Sequence, residues 1–528
     1  MIAPPRAPSQ GLAGAASPAG PNGPVAAARD VTEHGLRRVL IVGGVMLAAL
    51  LQTLDGTIVN VALPTIQGNL GASIDQGTWV VTGYIIAAVI VIPITPWLQN
   101  FFGRKEYFLV AIAGFTFASL LCGLAGSIQE LIVFRVIQGV FGGGLLATSQ
   151  AILRDTFPPK QLGLSQAIYT VGAVVGPSSG PTLGGILTDN ASWRWVFDVN
   201  IVPGIVAIAL LLPLLRNPNR TKTSGFDSIG LALLATGLGS LQYVLDEGER
   251  NDWFNDGTIV LVTATAVAGL IGFVIWELWG TQRPIVDLRM LTRRSVGFGC
   301  LIAMVNAAVV FGQLLLMPQY MTGVLGFTAT EDGLLLALRA LPVLLLTIPI
   351  GQLANSRRVD PRVLVAFGLV CAGGGVIQLG FVTTPVSDFG SMIAPLLLTG
   401  CGISFVFAPL LVAVLGCVKP ADSPKAGAWI SLALNLGGSV ASASLVTLLD
   451  QRESFHGTIL RAHATLSNPG IAEFVARFGV PRLGALFARQ SAALAYADTF
   501  FVLGMFAIVF APLAFALPHR NAQAAGDC

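Results

Sequence analysis

The sequence has little charge, few histidines and few cysteines, and these shortages exclude several classes of protein. Only 11% of its 528 residues are charged, whereas about a quarter are charged in soluble domains. Four histidines and six cysteines form no spaced ligand set and no CxxC pair, so no metal site is predicted. No GxxxxGK[ST] phosphate loop occurs, which excludes ATP as the predicted energy source. No nucleophile and base constellation supports an enzyme.

Apolar residues, in contrast, are abundant enough to require a membrane. They make up 54% of the chain, and the mean hydropathy is +0.75. The net charge of +3 is spread over short loops, which predicts no nucleic-acid partner. About fourteen runs approach the ~20 residues that a bilayer requires. They lie near 37–63, 77–99, 106–125, 129–152, 162–187, 195–215, 228–245, 258–280, 295–317, 331–353, 363–383, 389–415, 429–450 and 497–517. The sequence thus predicts an all-α integral membrane protein.

Lysine and arginine are concentrated in every second loop, and this distribution predicts the orientation of the spans. With the N-terminus in the cytoplasm, most basic residues fall in cytoplasmic loops, and the short outer loops keep only Arg194 and Arg250. This asymmetry is what the positive-inside rule expects. The prediction is a multi-pass protein with both termini in the cytoplasm.

One glycine-rich segment, GAVVGPSSGPTLGG at 172–185, is the most distinctive stretch of the chain. Four of its glycines lie four residues apart and would form a stripe without side chains on one helix face. Each of its two prolines lacks the backbone N–H that would donate a hydrogen bond to the carbonyl four residues earlier. A second helix backbone can therefore approach closely, although a tight helix crossing with no further role is the alternative. The segment comprises Gly172, Gly176, Pro177, Gly180, Pro181, Gly184 and Gly185.

This pattern, GxxxGPxxGPxxGG, resembles the antiporter motif of drug-exporting transporters of the major facilitator superfamily. LLATSQAILRDTFPP (145–159), SWRWVFDVN (192–200) and VLDEGERNDWF (244–254) resemble the fourteen-span EmrB/QacA-type drug:proton antiporters. The similarity extends over about 36–518. It implies a major facilitator fold of about 14 transmembrane helices, with two six-helix halves and two inserted helices.

An internal repeat supports the two halves. PWLQNFFGRKE (96–106) and GQLANSRRVDPR (351–362) both resemble the superfamily's cytoplasmic loop motif. The resemblance implies a cytoplasmic gate loop, although Asn100 stands where Asp is usual and the charges could simply follow the positive-inside rule. The gate residues are Asn100, Gly103, Arg104 and Lys105. The predicted division is 1–35 (disordered cytoplasmic N-terminus), 36–215 (first half), 216–294 (inserted helices), 295–518 (second half, with a periplasmic loop at 451–496) and 519–528 (cytoplasmic tail).

An ionisable residue within a span costs free energy in lipid, so such a residue is expected to be functional. Asp55 and Arg135 lie in segments that resemble the family's first-helix and fourth-helix motifs. At 1.5 Å per residue both lie about 9–12 Å below the outer surface, so they can touch. The resemblance implies that Asp55 couples transport to protons; the alternative is a static ion pair that fixes helix orientation.

Other polar residues in apolar helices are candidates for lining a substrate cavity, or else for hydrogen bonding between helices. Arg339 resembles the family's second-half arginine. Asp198 is either a second acid or an interfacial charge. The cavity candidates are Gln52, Asn60, Gln138, Asn306, Gln313 and Arg339.

The function implied by the resemblance is proton-driven export of hydrophobic drugs and toxic compounds across the bacterial inner membrane. No cofactor is expected, because the proton gradient supplies the energy. The segment 451–496 resembles the periplasmic loop of pumps that work with a periplasmic adaptor and an outer-membrane channel, although it could merely cap the transporter. Export of a specific endogenous or secondary metabolite is the alternative function, and a non-transporting receptor is a weaker one.

Overall fold

The computed structural model describes residues 33–217, 227–281, 284–356, 359–419, 422–463 and 469–519. The predicted disordered N-terminus and cytoplasmic tail fall almost wholly outside these ranges. The α-helices are α1 Gly35–Leu70, α2 Ile74–Phe102, α3 Arg104–Leu124, α4 Ile128–Gly142, α5 Leu145–Thr156, α6 Leu162–Asn190, α7 Trp195–Asp198, α8 Ile201–Leu214, α9 Ser228–Glu247, α10 Gly257–Ile275, α11 Arg294–Gln319, α12 Ala329–Asn355, α13 Pro361–Val382, α14 Phe389–Gly416, α15 Ser423–His463, α16 Pro469–Phe478 and α17 Val480–Val509.

The spans are helical because a bilayer offers no water to satisfy backbone N–H and C=O groups, and a helix satisfies them internally. Thirteen helical segments in the described part of the chain are long and apolar enough to cross a membrane. The helix α6, rich in glycine and proline, is 29 residues long, or about 43 Å, and it packs between α1 and α12. It completes the expected number of about fourteen, and the predicted all-α membrane fold is confirmed.

The helices pack as two groups that meet along two seams. Within the first group, α1 packs on α6 and α8, and α4 packs on α2 and α3. Within the second, α13 packs on α14 and α17, and α11 packs on α15. The first seam joins α6 to α12, and the second joins α2 to α15. We call the end of the bundle where α1 begins the terminal end.

The inserted pair, α9 and α10, packs on the second seam. Asp227 caps α9 by accepting a hydrogen bond from the Gly230 N–H (2.8 Å). The indole N–H of Trp276, just after α10, lies 2.9 Å from both oxygens of the same carboxylate, so it ties the pair together. The helix α9 contacts both α2 and α15. The inserted pair thus touches both halves of the molecule.

The segment 451–496, predicted as a loop, is largely helical in the described residues. The helix α15 continues to His463, α16 follows, and α17 begins at Val480. His456 Nε2 lies 2.8 Å from Asp498 Oδ2, which holds α15 against α17. Low hydropathy marks where a span leaves the bilayer, not where its helix ends, so the segment predicted to lie outside the membrane continues the helices of the neighbouring spans. The alanine, leucine and arginine of this segment are strong helix formers.

Candidate transport site

A cavity of about 570 Å³ lies between the two halves. It is lined by α1, α2, α6, α9, α11, α12, α14 and α15, together with Leu146 of α5. Asn60, Gln319 and Thr322 on its wall are exposed, and all three lie in the parts of their helices away from the terminal end. The cavity therefore opens at the end opposite the terminal end.

Three of the six predicted cavity residues line this space. They are Gln52, Asn60 and Asn306. Gln52 is also tied to α5, because its Oε1 accepts a hydrogen bond from the Leu146 N–H at 2.7 Å. Gln138, Gln313 and Arg339 do not line the cavity and are buried within their own halves.

Asp55 and Arg135 are in contact inside the first half. Arg135 Nη1 donates to Asp55 Oδ2 at 2.5 Å, and the two side chains are 1% and 0% exposed. Arg135 Nε also donates to the Val80 carbonyl at 3.0 Å. A charged pair buried this completely is retained only if its remaining hydrogen-bonding atoms find partners. The similar depths expected from the sequence thus correspond to a direct ion pair, while its role in coupling stays a prediction.

A set of buried amides and one hydroxyl satisfies the other carboxylate oxygen. Gln138 Nε2 donates to Asp55 Oδ1 at 3.0 Å, and Asn200 Nδ2 donates to the same atom at 3.1 Å. Ser119 Oγ accepts from both amides, at 3.2 and 3.1 Å, and donates to the Phe197 carbonyl at 2.9 Å. This network joins α1, α3 and α4 to the chain just before α8. Asn200 and Ser119 were not predicted, although Asn200 lies in the SWRWVFDVN segment that carried part of the resemblance.

Tyr84 of α2 separates this ion pair from the cavity. Its ring lines the cavity, and the Arg135 guanidinium lies 4.2 Å from the ring centroid. At this distance the cation is attracted to the face of the ring. Tyr84 is thus the structural link between the space that would hold a substrate and the buried Asp55–Arg135 pair. The sequence offered no specific signal for it.

The glycine stripe of α6 packs directly on the turn of α1 that carries Asp55. A side chain at Gly184 would lie only 2.6 Å from the Ile58 carbonyl, and one at Gly180 only 3.1 Å from the Ile58 N–H. Gly176 faces Thr53 and Leu54 in the same way, Gly172 faces Met46, and Gly185 is buried next to the stripe. The close helix approach predicted for this motif is therefore present, and Pro177 and Pro181 line the cavity.

In the second half, Arg339 of α12 is 1% exposed. Its Nη1 donates to the Val310 carbonyl at 3.3 Å and to Gln313 Oε1 at 3.4 Å. These contacts fasten α12 to α11. Asp198 lies beside Gly123 of α3, where a side chain would be 3.1 Å from the carboxyl carbon, and it does not line the cavity.

The predicted gate residues lie at the terminal end, where α2 and α3 are separated by Gly103 alone. Gly103 has a φ of +99°, a conformation that favours glycine. Arg104 forms an ion pair with Asp155 at the end of α5, and the Lys105 N–H donates to Asn217 Oδ1 at 2.9 Å. Asn100 is exposed at the end of α2. Although Asn100 replaces the usual acid, Arg104 thus has a carboxylate partner on another helix.

Contacts between the halves close the terminal end. Arg154 Nη2 donates to the carbonyls of Leu415 and Val418 beside the end of α14, at 3.0 and 3.1 Å. Asn355 Nδ2 donates to the Lys160 carbonyl at 2.5 Å. The bundle is thus closed at one end and open at the other, which is the geometry of a carrier that exposes its site to one side at a time.

Comparison with known proteins decides the family. The model of the Major Facilitator Superfamily matches residues 45–442. The chain belongs to the major facilitator superfamily. Within it, multidrug export protein EmrB of Escherichia coli (strain K12) is 36% identical over 438 residues, which cover 83% of this chain and 85% of that protein. This superfamily member is therefore of the EmrB type, a multi-pass membrane transporter rather than an enzyme.

Two further comparisons agree with this assignment. Fatty acid resistance protein FarB of Neisseria gonorrhoeae is 36% identical over 422 residues, covering 79% of this chain and 82% of that protein. A crystal structure of a double-tryptophan XylE mutant superposes with a TM-score of 0.60 at 14% identity, covering 92% of this chain and 98% of that chain. The second likeness supports the fold alone.

Proposed function

We propose that this transporter is a proton-coupled antiporter that exports hydrophobic drugs and toxic compounds across a bacterial inner membrane. The observation that carries the proposal is the fully buried Asp55–Arg135 pair, one aromatic ring away from a cavity that opens at one end. The cavity wall is mostly apolar, which suits lipophilic small molecules. The relative from Escherichia coli is named as a multidrug export protein.

The coupling follows from the electrostatics of the pair. An ionised Asp55 holds Arg135 and the amides of Gln138 and Asn200, and so holds α1 against α4 and α8. A proton on Asp55 removes the charge and weakens this contact, since charge-assisted hydrogen bonds are the stronger kind. The helices can then shift and the cavity can release its cargo. Loss of the proton on the other side restores the ion pair and resets the carrier.

The loop charges assign the terminal end to the cytoplasm. The cavity then faces outward, toward the periplasm. In this state a substrate in the cavity has an exit to the periplasm. Both termini are cytoplasmic.

The helical projection formed by the ends of α15 and α17, together with α16, lies on the outer side in this orientation. We assign to it the docking of a periplasmic adaptor that leads to an outer-membrane channel. Its support is the position of a helical segment beyond the apolar spans.

Everted membrane vesicles that hold a proton gradient test the function. A pH-sensitive dye inside them should report proton release when lipophilic drugs are added to wild-type protein. Asp55→Asn should abolish this response while the protein still inserts, because asparagine keeps the size of the side chain but cannot be ionised. Asp189→Asn, at an exposed position near the end of α6, should respond as wild type does. Full proton-linked efflux by Asp55→Asn would refute the proposal.

A further inference from the structure

Two carboxylates on the cavity wall have no part in the coupling described above. Asp246 lies in α9, the first inserted helix, and Asp332 lies in the first turn of α12. Among the described residues that line the cavity, these two are the only ones with an ionisable acidic or basic group other than the phenol of Tyr84. The charge presented to a substrate is therefore negative.

Asp332 is a buried acid, and one of its carboxylate oxygens can accept a hydrogen bond from a ligand. It is 4% exposed, and its Oδ1 has no hydrogen-bond partner among the described residues. Arg339 lies two helical turns further along α12, about 10 Å away by helix rise; its charge attracts the Asp332 carboxylate, but it donates no hydrogen bond to Oδ1. A buried oxygen without a partner costs free energy unless a ligand supplies the missing contact. Asp332 is thus available to a positively charged group in the cavity.

Asp246 is held in position from both halves of the transporter. Gln242 Nε2 donates to Asp246 Oδ1 at 2.8 Å and to Ser439 Oγ of α15 at 2.8 Å. The side chain of Thr82 in α2 also hydrogen-bonds to Asp246. Nearby, Trp253 Nε1 donates to Thr447 Oγ1 of α15 at 3.0 Å. These hydrogen bonds hold the inserted pair on the second seam, where the Asp246 carboxylate lines the cavity.

The two acids come from opposite seams. Asp332 belongs to α12, which packs on α6, whereas Asp246 belongs to α9, which lies over the contact of α2 with α15. The cavity wall is otherwise uncharged and mostly apolar, with Val81, Phe311 and Leu314 among its residues. A low-dielectric wall strengthens the attraction of a carboxylate for a cation and its repulsion of an anion. The cavity combines what a lipophilic cation needs: apolar surface for its body and negative charge for its head.

We propose that Asp246 and Asp332 bind the charged group of a lipophilic organic cation, and that Asp246 makes the inserted helix pair part of the substrate site. The inference rests on the export function proposed above and adds the charge preference of the site. It also gives a role to the VLDEGERNDWF segment, which carries Asp246.

Equilibrium binding of two ions of matched shape and opposite charge tests the proposal. Tetraphenylphosphonium and tetraphenylborate share four phenyl rings and differ in the sign of their charge. Purified full-length Asp246→Asn and Asp332→Asn should each bind tetraphenylphosphonium at least tenfold more weakly than wild type. Their affinity for tetraphenylborate should be unchanged or higher, and this second ion also shows that the variants are folded. Asp189→Asn, which removes an exposed acid outside the cavity, should bind both ions as wild type does.

The outcomes separate this inference from the proposed function. Wild-type affinity of Asp246→Asn for tetraphenylphosphonium would remove the inserted pair from the substrate site. A wild-type protein that binds tetraphenylborate and not tetraphenylphosphonium would refute cation binding, yet proton-linked export in vesicles would still stand. Parallel loss of affinity for both ions in an Asp→Asn variant would mean that the acids shape the cavity and do not recognise charge, which also overturns the proposal.

Discussion

At the scale of single residues, the ring of Tyr84 is the only side chain described here that both lines the cavity and stacks on Arg135. Its hydroxyl oxygen has no hydrogen-bond partner among the described residues. The ring and the hydroxyl can therefore be tested separately. The ring should matter to the coupling of substrate to the ion pair, and the hydroxyl should not.

Tyr84→Phe should transport within about twofold of wild type, because the face of the ring stays beneath the guanidinium. Tyr84→Leu should lose about twofold to thirtyfold in proton-linked transport, since a cation–π contact contributes ~0.5–2 kcal/mol. Drug-dependent dye response in everted vesicles measures both variants at equal protein level. A Tyr84→Phe variant as defective as Tyr84→Leu would assign the role to the hydroxyl instead.

The sequence predicted how deep a side chain lies in the membrane, but not the direction in which it points. Depth follows from counting residues along a helix, so the contact of Asp55 with Arg135 could be anticipated. Direction depends on how each helix is rotated in the bundle, and apolar surroundings on all sides leave no amphipathic pattern to read. For this reason Gln138 and Gln313 were grouped with Gln52 as cavity candidates, although they face their own halves. Asn200 was overlooked for the same reason.

At the scale of helices, the stripe of α6 fixes where α1 lies. Ile58 lies three residues after Asp55 in α1, and its backbone packs against Gly180 and Gly184. The spacing of the glycines predicted this close approach, whereas the structure was needed to identify α1 as the partner helix. By contrast, the end of α15 could not be placed from hydropathy, since its helix continues past the apolar run to His463.

Gly184→Ala should both destabilise the protein and impair transport. The added methyl group would lie 2.6 Å from the Ile58 carbonyl, and overpacking of this kind costs ~1–3 kcal/mol. We expect a lower apparent Tm in detergent and at least about a tenfold loss of proton-linked transport, because α1 carries Asp55.

Gly374→Ala is the matched control for this substitution. Gly374 lies in α13, and a side chain there would meet nothing within 4 Å. Its Tm and its transport should equal those of wild type or rise slightly, since alanine favours a helix over glycine by ~0.5–1 kcal/mol. Equal Tm values for Gly184→Ala and Gly374→Ala would show that the stripe does not set the helix contact.

At the scale of the whole molecule, export requires the cavity to open at the end that is closed in this structure. The contacts of Arg154 with Leu415 and Val418, and of Asn355 with Lys160, must then break in each cycle. Opening there also requires the close backbone contact between Gly163 of α6 and Gly351 of α12 to separate. Motion of one half against the other is thus expected to carry the transport cycle.

A cross-link across the terminal end tests this expectation. The variant Lys160→Cys/Asn355→Cys joins the two halves when treated with a short, reducible bis-methanethiosulfonate, and drug export should stop and then return on reduction. The pair Arg38→Cys/Gln161→Cys is the control, because Arg38 Nη1 and Gln161 Oε1 lie 3.0 Å apart at the same end but within one half. Its cross-link should leave export unchanged, since no motion between halves stretches it. Undiminished export with the first pair cross-linked would mean that the terminal end need not open, and substrate would have to enter by another path.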